Sequence, residues 1–238
     1  MAADGRRHVL AIGGYGTTGP ALPRLVEYAI ELSGRPAPRT CVLNTAMGDD
    51  PGGFLRMYAW LSGTSARASH LQLFPMPNVA DPADLLLSQD VVFVGGGSVA
   101  NLVAVWRAHG LDRVMRQAWR DGVVLVGVSA GALCWFEGGT TDSFGTVLRP
   151  FTAGLAMLPG SYCPHYSAEP ARRPLYESLV ADGSLPAGIA CDDGTAAHFA
   201  DDALAEVVAD GPGAFGYRVE PDGAGGAAQT TLATRLLR

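Results

Sequence analysis

The sequence predicts an α/β protein whose sheet is mostly parallel and flanked by helices on both faces, and three observations carry that prediction. Apolar strand-like runs alternate with helix-period segments from His8 to Val128. Several of those runs are apolar throughout, as strands covered on both faces must be. They also end in glycine or serine turns, at Gly13-Gly14, at Gly95-Gly96-Gly97-Ser98 and at Ser129. With 48% hydrophobic and only 17% charged residues in 238, the chain can build a sizeable core. No internal repeat or linker interrupts it, so residues 1–238 are expected to form one α/β domain.

In order, His8–Ile12 reads as a strand and Ala21–Leu32 as a helix, with Leu22, Leu25, Val26, Ala29 and Ile30 on one face. Thr40–Asn44 is the second strand, Gly53–Leu61 a helix, Leu71–Phe74 a third strand and Asp81–Leu87 a short helix. Val91–Val94 is a fully apolar strand, followed by helices at Val99–His109 and Leu111–Asp121 and then the strand Val123–Val128. Beyond it the pattern loosens. Phe144–Gly160 suggests loops and short strands, while Pro170–Ala181 reads as a helix with prolines at its start. Gly188–Cys191, Ala196–Phe199, Ala205–Val208 and Ala214–Val219 read as strands, and Asp222–Ala228 as a loose Gly/Ala tip. Ligand sites on parallel sheets lie beyond the carboxyl ends of the strands, so Gly13, Gly95 and Ser129 are expected to face one crevice.

The formal charge of −6, with no extended Lys/Arg cluster, argues against nucleic acid as a partner. No segment reaches the roughly 18 apolar residues of a membrane span, and the N-terminal apolar run is too short for a signal sequence. Cys41, Cys134, Cys163 and Cys191 are scattered without metal-ligand spacing and read as reduced thiols of a cytoplasmic protein. Neither Gly13-Gly14-Tyr15-Gly16 nor the Gly95–Ser98 cluster fits GxGxxG followed by an acidic residue at the next strand end, so no dinucleotide cofactor and no metal are expected.

Chemistry concentrates in Val123–Leu133, VVLVGVSAGAL, where a buried-type strand enters Gly-x-Ser-x-Gly. This is the form of a nucleophile elbow. Gly127 and Gly131 allow the sharp reversal that lifts the Ser129 hydroxyl clear and aims the Ala130 N–H at a developing oxyanion. Gly96 and Gly97, at a neighbouring strand end, can supply a second N–H donor. The alternative is an ordinary small-residue turn. A serine needs a base. His8 and His70 sit at strand starts away from the crevice, His109 at a surface-like helix end and His198 within an apolar strand. His165, in Cys163-Pro164-His165-Tyr166 after a Pro-Gly turn, is the one histidine a loop can present to the crevice, although a structural role stays open.

GVSAGALCWF, Pro164-His165-Tyr166, the VFVGGGS strand end and Asp192-Asp193-Gly194-Thr195-Ala196 together resemble the peptidase E and cyanophycinase family of serine peptidases. The resemblance runs from Gly13 to about Phe199 and implies a class I glutamine amidotransferase-like fold in which serine replaces cysteine. It implies a metal-free serine hydrolase that removes an N-terminal aspartate from small peptides. Residue by residue it implies Ser129 as nucleophile, His165 as base, and Ala130 with Gly96 and Gly97 as oxyanion donors. For the acid it favours Asp193, beside Asp192; Asp142 is the second choice and Glu137 a third. The cation for an acidic substrate falls at Arg172-Arg173, with Arg173 preferred and a solvated helix face as the alternative. Two further readings stay open: the same serine chemistry on another small acyl or amide compound such as a β-linked aspartyl peptide, and a non-catalytic relative that binds an acidic ligand or serves in assembly. A small acidic peptide is the expected partner, and a homodimer is compatible with the sequence.

Overall fold

The computed structural model describes residues 5–15 and 23–238. In the first half, strands β1 (His8–Ile12), β2 (Arg39–Leu43), β3 (Arg67–Leu71), β4 (Val91–Val94) and β5 (Val124–Val128) alternate with helices α1 (Arg24–Glu31), α2 (Pro51–Leu61), α3 (Pro82–Leu87), α4 (Val99–His109) and α5 (Leu111–Arg120). The start of the helix read from Ala21 lies outside the described residues, as does Gly16. These five strands are all parallel, in the order β3-β2-β4-β5-β1. Successive residues of each strand feed opposite faces. On β1, Val9 and Ala11 pack with Leu102, Trp106 and Met115 of α4 and α5, whereas Leu10 and Ile12 pack with Leu25 of α1 and Trp60 of α2. Both faces are therefore covered, which explains the uninterrupted apolar strands. Side-chain caps set the helix starts: Asp50 accepts from Gly53 N–H before Pro51, Asp81 from Ala83, and Ser98 from Asn101.

The third strand lies earlier than the sequence suggested. Arg67–Leu71 is an edge strand with one residue fully buried, so it lacks the apolar run that drew attention to Leu71–Phe74. The N–H groups of Leu73 and Phe74 instead bond the Asp49 carboxylate. His70 consequently sits inside β3, not ahead of it, and bonds Tyr58 Oη at 2.9 Å.

The second half begins with α6 (Ala130–Leu133) and adds β6 (Gly138–Thr141), β7 (Arg149–Phe151), β8 (Ser161–Cys163), α7 (Arg172–Ala181), β9 (Gly188–Cys191), β10 (Thr195–Ala200), β11 (Ala203–Ala209), β12 (Gly216–Pro221), β13 (Ala227–Thr231) and β14 (Thr234–Leu236). β10 and β11 extend the main sheet antiparallel beside β1, and β14 closes that edge, giving eight strands. The remainder form a six-stranded sheet, β13-β12-β9-β8-β6-β7, which the sequence did not reveal. Within it β6, β8 and β9 run parallel while the outer ladders are antiparallel. The stretch read as a loose tip ends at residue 226, and β13 follows. Among the described residues no helix is long and apolar enough to cross a membrane.

Candidate active site

β5 runs into Ser129, whose backbone turns to φ 52° and ψ −112°. A non-glycine residue there stores about 1–3 kcal/mol of strain and persists only where its surroundings impose it. Here Ser129 N–H bonds Ile12 O at 2.9 Å, while Ser129 O receives Ala132 and Leu133 N–H at 3.0 and 2.8 Å. The residue is thus pinned between the neighbouring strand and the first turn of α6. The close approach explains both elbow glycines: a Cβ on Gly127 would strike Gly131 O, and one on Gly131 would strike Val94 O. Ala130 opens α6, where an N–H has no carbonyl within its own helix to meet.

His165 and Asp193 come from the other sheet. β8 and β9 are parallel neighbours, and each ends just before one of them. His165 Nε2 lies 2.8 Å from Ser129 Oγ, and His165 Nδ1 lies 2.6 Å from Asp193 Oδ1. With the carboxylate accepting, Nδ1 carries the proton and Nε2 presents its lone pair to the serine hydroxyl. Both side chains stay partly solvent-accessible, at 24% and 28%. Gly14 is a member that sequence reasoning treated as a plain turn. A Cβ at Gly14 would collide with Asp193 Oδ1 and the His165 ring, so only glycine lets β1 lie against the pair. Gly14 also takes Gly194 N–H on its carbonyl at 2.7 Å, tying the Asp193 loop to the main sheet.

Gly96 borders the serine, since a Cβ there would stand 3.3 Å from Ser129 Cβ, and Gly97 follows at φ 130°. Gly14, Ser129, His165, Asp193 and the Gly95–Gly97 turn open onto one cavity of about 420 Å³, so the strand ends expected to converge do so. Its inner wall is Val42, Phe93, Val128, Met57 and Trp60, and Tyr15, Asn44, Asp50 and Arg56 supply polar atoms. Tyr15 stands edge-on to Trp60 at 4.8 Å, and burial raises its phenol above the usual range.

The other acid candidates lie apart from His165. Asp142 is exposed, and its carbonyl closes a turn with Gly145 N–H. Glu137, also exposed, accepts Gly160 N–H at 2.7 Å. Neither expected arginine lines the cavity. Arg172 is buried on the inner side of α7, with Nε 2.6 Å from Glu169 Oε2 and Nη1 3.1 Å from Thr140 O, so its guanidinium is already committed. The Arg173 guanidinium lies over Tyr166 at 4.6 Å and over Tyr217 at 5.2 Å, and donates to Ser167 Oγ at 2.9 Å. Among the described residues, the arginine that lines the cavity is Arg56, on α2. No local signal marked it, because its position depends on how α2 is rotated above the sheet.

All four cysteines are free and buried. Burial pushes the Cys163 thiol, two residues before His165, up to about 12, which leaves it unable to serve as a thiolate nucleophile at neutral pH. Among the described residues no three His, Cys, Asp or Glu are grouped to hold a metal ion.

The model of peptidase family S51 matches residues 9–207. The chain belongs to that family. It is 42% identical to the uncharacterized peptidase YgaJ of Bacillus subtilis (strain 168) over 216 residues, covering 90% of this chain and 92% of that one. Peptidase E of Shewanella denitrificans is 30% identical over 135 residues, 53% of this chain and 57% of that protein. Two solved structures share the fold. A peptidase from an acI-B1 actinobacterium superposes with a TM-score of 0.65 at 16% identity, covering 96% and 95% of the two chains. A putative peptidase E from Listeria monocytogenes EGD-e does so with a TM-score of 0.62 at 13% identity, covering 96% and 100%. The chain is therefore a serine-type peptidase built on the α/β fold of peptidase E.

Proposed function

We propose that the S51 peptidase removes an N-terminal aspartate from dipeptides and other small peptides through an acyl-enzyme on Ser129. The observation that carries this reading is the unbroken chain Ser129 Oγ–His165 Nε2–His165 Nδ1–Asp193 Oδ1, at 2.8 and 2.6 Å, opening onto a cavity. His165 takes the Ser129 proton as Oγ attacks the scissile carbonyl, and Asp193 steadies the imidazolium that results. Negative charge on the carbonyl oxygen meets the Ala130 N–H and an N–H of Gly96 or Gly97. The tetrahedral intermediate collapses as His165 returns the proton to the leaving amine. Water then attacks the acyl-enzyme by the same route, releasing aspartate and free Ser129.

Arg56 takes over the substrate-reading role in this account, since it is the arginine that reaches the cavity. A planar guanidinium can hold a carboxylate by two charge-assisted bonds. The cavity suits a substrate no larger than a short peptide. A cytoplasmic location is part of the same reading, in keeping with four buried free thiols.

A panel of Asp-X, Glu-X, Asn-X, β-Asp-X and simple ester substrates tests the assignment. Asp-X should be hydrolysed fastest, and Arg56→Ala should lower the Asp-over-Asn preference in kcat/KM by about 30- to 1,000-fold. Arg56→Lys should restore only part of it. Preference for β-Asp-X or for a neutral ester would replace the aspartyl reading with that substrate while keeping the serine chemistry.

A further inference from the structure

His165 and Asp193 stand on two separate loops, yet a triad needs them placed to within about half an ångström. What fixes those loops lies one residue to the side of each. Tyr166 follows His165, and Asp192 precedes Asp193. His165, whose backbone turns to φ 52°, and Asp193 face the cavity, whereas Tyr166 and Asp192 are buried and do not line it.

The two hidden neighbours converge on β12. Asp192 Oδ2 accepts Tyr217 Oη–H and Phe215 N–H, both at 3.1 Å, and Asp192 N–H bonds Phe215 O at 3.0 Å. The other carboxylate oxygen, Oδ1, is buried and has no hydrogen-bond partner among the described residues. The ring of the same Tyr217 packs on Tyr166 with centroids 5.0 Å apart. Arg173 lies over both rings, bridging them from α7. Tyr166 is anchored further by Oη contacts to Glu177 at 3.0 Å and Gln229 at 2.8 Å, and its N–H bonds Cys191 O at 3.2 Å. One phenol thus grips the neighbour of the acid through its hydroxyl and the neighbour of the base through its ring.

We propose that Tyr217, clamped by Arg173, is a positioning residue that holds the His165 and Asp193 loops in register for catalysis. The inference rests on the Ser129-His165-Asp193 reading. It gives Arg173 a role that substrate binding does not, behind the site instead of in it. Removing the hydroxyl by Tyr217→Phe keeps the ring contact but leaves Asp192 Oδ2 held by Phe215 N–H alone, so the Asp193 loop loses its side-chain tie to the residue that packs on Tyr166. Removing the guanidinium by Arg173→Ala takes away the cation that covers both rings and its bond to Ser167 Oγ, leaving the Tyr166–Tyr217 ring contact as the one direct link between them.

Two substrate-independent readouts test this on the intact chain. The first is the far-downfield proton resonance of the His165 Nδ1–H bonded to a carboxylate, which wild type should show and Asp193→Asn should abolish. The second is the second-order rate of Ser129 labelling by a small fluorophosphonate, which depends on His165 acting as base. Tyr217→Phe should weaken or broaden the resonance and slow labelling by about 10- to 100-fold, the cost of an ångström-scale misplacement. In an Asp193→Asn background the same substitution should change labelling by less than about threefold, because the contact it protects is already gone. Arg173→Ala should slow labelling in the same direction and Arg173→Lys should recover part of it, which also decides the matter if Tyr217→Phe fails to fold. A wild-type resonance lost in Asp193→Asn but untouched in both Tyr217→Phe and Arg173→Ala, with labelling at wild-type rate, overturns the proposal alone. Equal slowing by Tyr217→Phe in both backgrounds also overturns it, in favour of a general structural defect. A wild-type protein without the resonance, or one that keeps it in Asp193→Asn, removes the triad reading beneath it.

Discussion

Among the described residues, His165 and His198 each have a hydrogen-bond partner at both ring nitrogens, and of these two it is His165 that faces the cavity. In the crevice, His165 stands between Asp193 and Ser129. In the main sheet, His198 on β10 has Nε2 2.9 Å from His8 Nδ1 and Nδ1 2.8 Å from Tyr28 Oη. Tyr28 donates onward to Glu206 at 2.7 Å, and Arg235 pairs with that carboxylate at 2.7 and 2.9 Å. Since Tyr28 gives its proton to Glu206, His198 Nδ1 must donate to Tyr28 and Nε2 must accept from His8. The acceptor nitrogen of His198 therefore meets another imidazole N–H, buried in the sheet and away from the cavity. The acceptor nitrogen of His165 meets a hydroxyl that becomes a nucleophile when it loses its proton. Exposure separates them as well, 24% for the His165 side chain against 8% for His198. A satisfied histidine is a structural element until its free lone pair faces a cavity and a group worth deprotonating.

The strongest way to break this contrast is at the nucleophile. Ser129→Ala should cost about 10⁴–10⁶ in kcat with the fold intact, because one hydroxyl at a cavity wall contributes little packing. Retention of more than about a tenth of wild-type turnover would mean that the chemistry runs elsewhere. His198→Gln, by comparison, should leave turnover within about twofold, since neither His198 nor its hydrogen-bond partners His8 and Tyr28 line that cavity.

Next in size is the acid. Asp193→Asn should lower kcat by about 10²–10⁴ with little change in KM, because the amide no longer enforces the Nδ1–H tautomer of His165. Asp142→Asn, exposed in its turn, should behave as wild type. Similar mild losses from both would remove Asp193 from the mechanism.

The smallest effect belongs to the buried pair and is read in stability. Burial, and then the neighbouring His8, hold the His198 imidazole down to about 4, below the ordinary histidine value near 6.5. The unfolded chain therefore takes up a proton that the folded one refuses as pH falls from about 6.5 towards 4. Stability should drop over that window by up to about 3 kcal/mol. Glu206, held down to about 2 chiefly by Arg235, adds its own loss only below the ordinary carboxylate range. Urea unfolding at pH 7 and pH 5 should show the loss in wild type and a much flatter response in His198→Gln. Equal slopes for the two proteins would assign the acid sensitivity to other groups.

Much of the first half was legible because its signals are local. Leu125 and Val126, apolar on both sheet faces, announce a central parallel strand, and Gly127-x-Ser129-x-Gly131 announces the turn it feeds. His165 stood out as the histidine that a loop could present to the crevice, whereas Asp193 came only from the family resemblance of Asp192-Asp193-Gly194-Thr195-Ala196. The second sheet was not, since β7 and β8 have three residues each, too few to show a period. β13 reads Ala-Ala-Gln-Thr-Thr, with only partial burial on one face, and looks like loop composition. Arg56, Gly14 and Tyr217 escaped for a different reason. Their positions arise from contacts between segments distant in sequence: α2 over the strand ends, the end of β1 against the Asp193 loop, and β12 behind the His165 and Asp193 loops. Arg172 shows the converse, a cation in the expected stretch whose partners, Glu169 and Thr140, turn it into a structural tie.

The most direct test of the central claim is mass mapping of the site labelled by a small fluorophosphonate. The expected result is a single adduct on the peptide carrying Ser129, formed at least about 10²-fold more slowly in His165→Ala and absent in Ser129→Ala. Labelling at another serine, or labelling of Ser129 at the same rate without His165, would contradict the assignment of an activated nucleophile at the elbow.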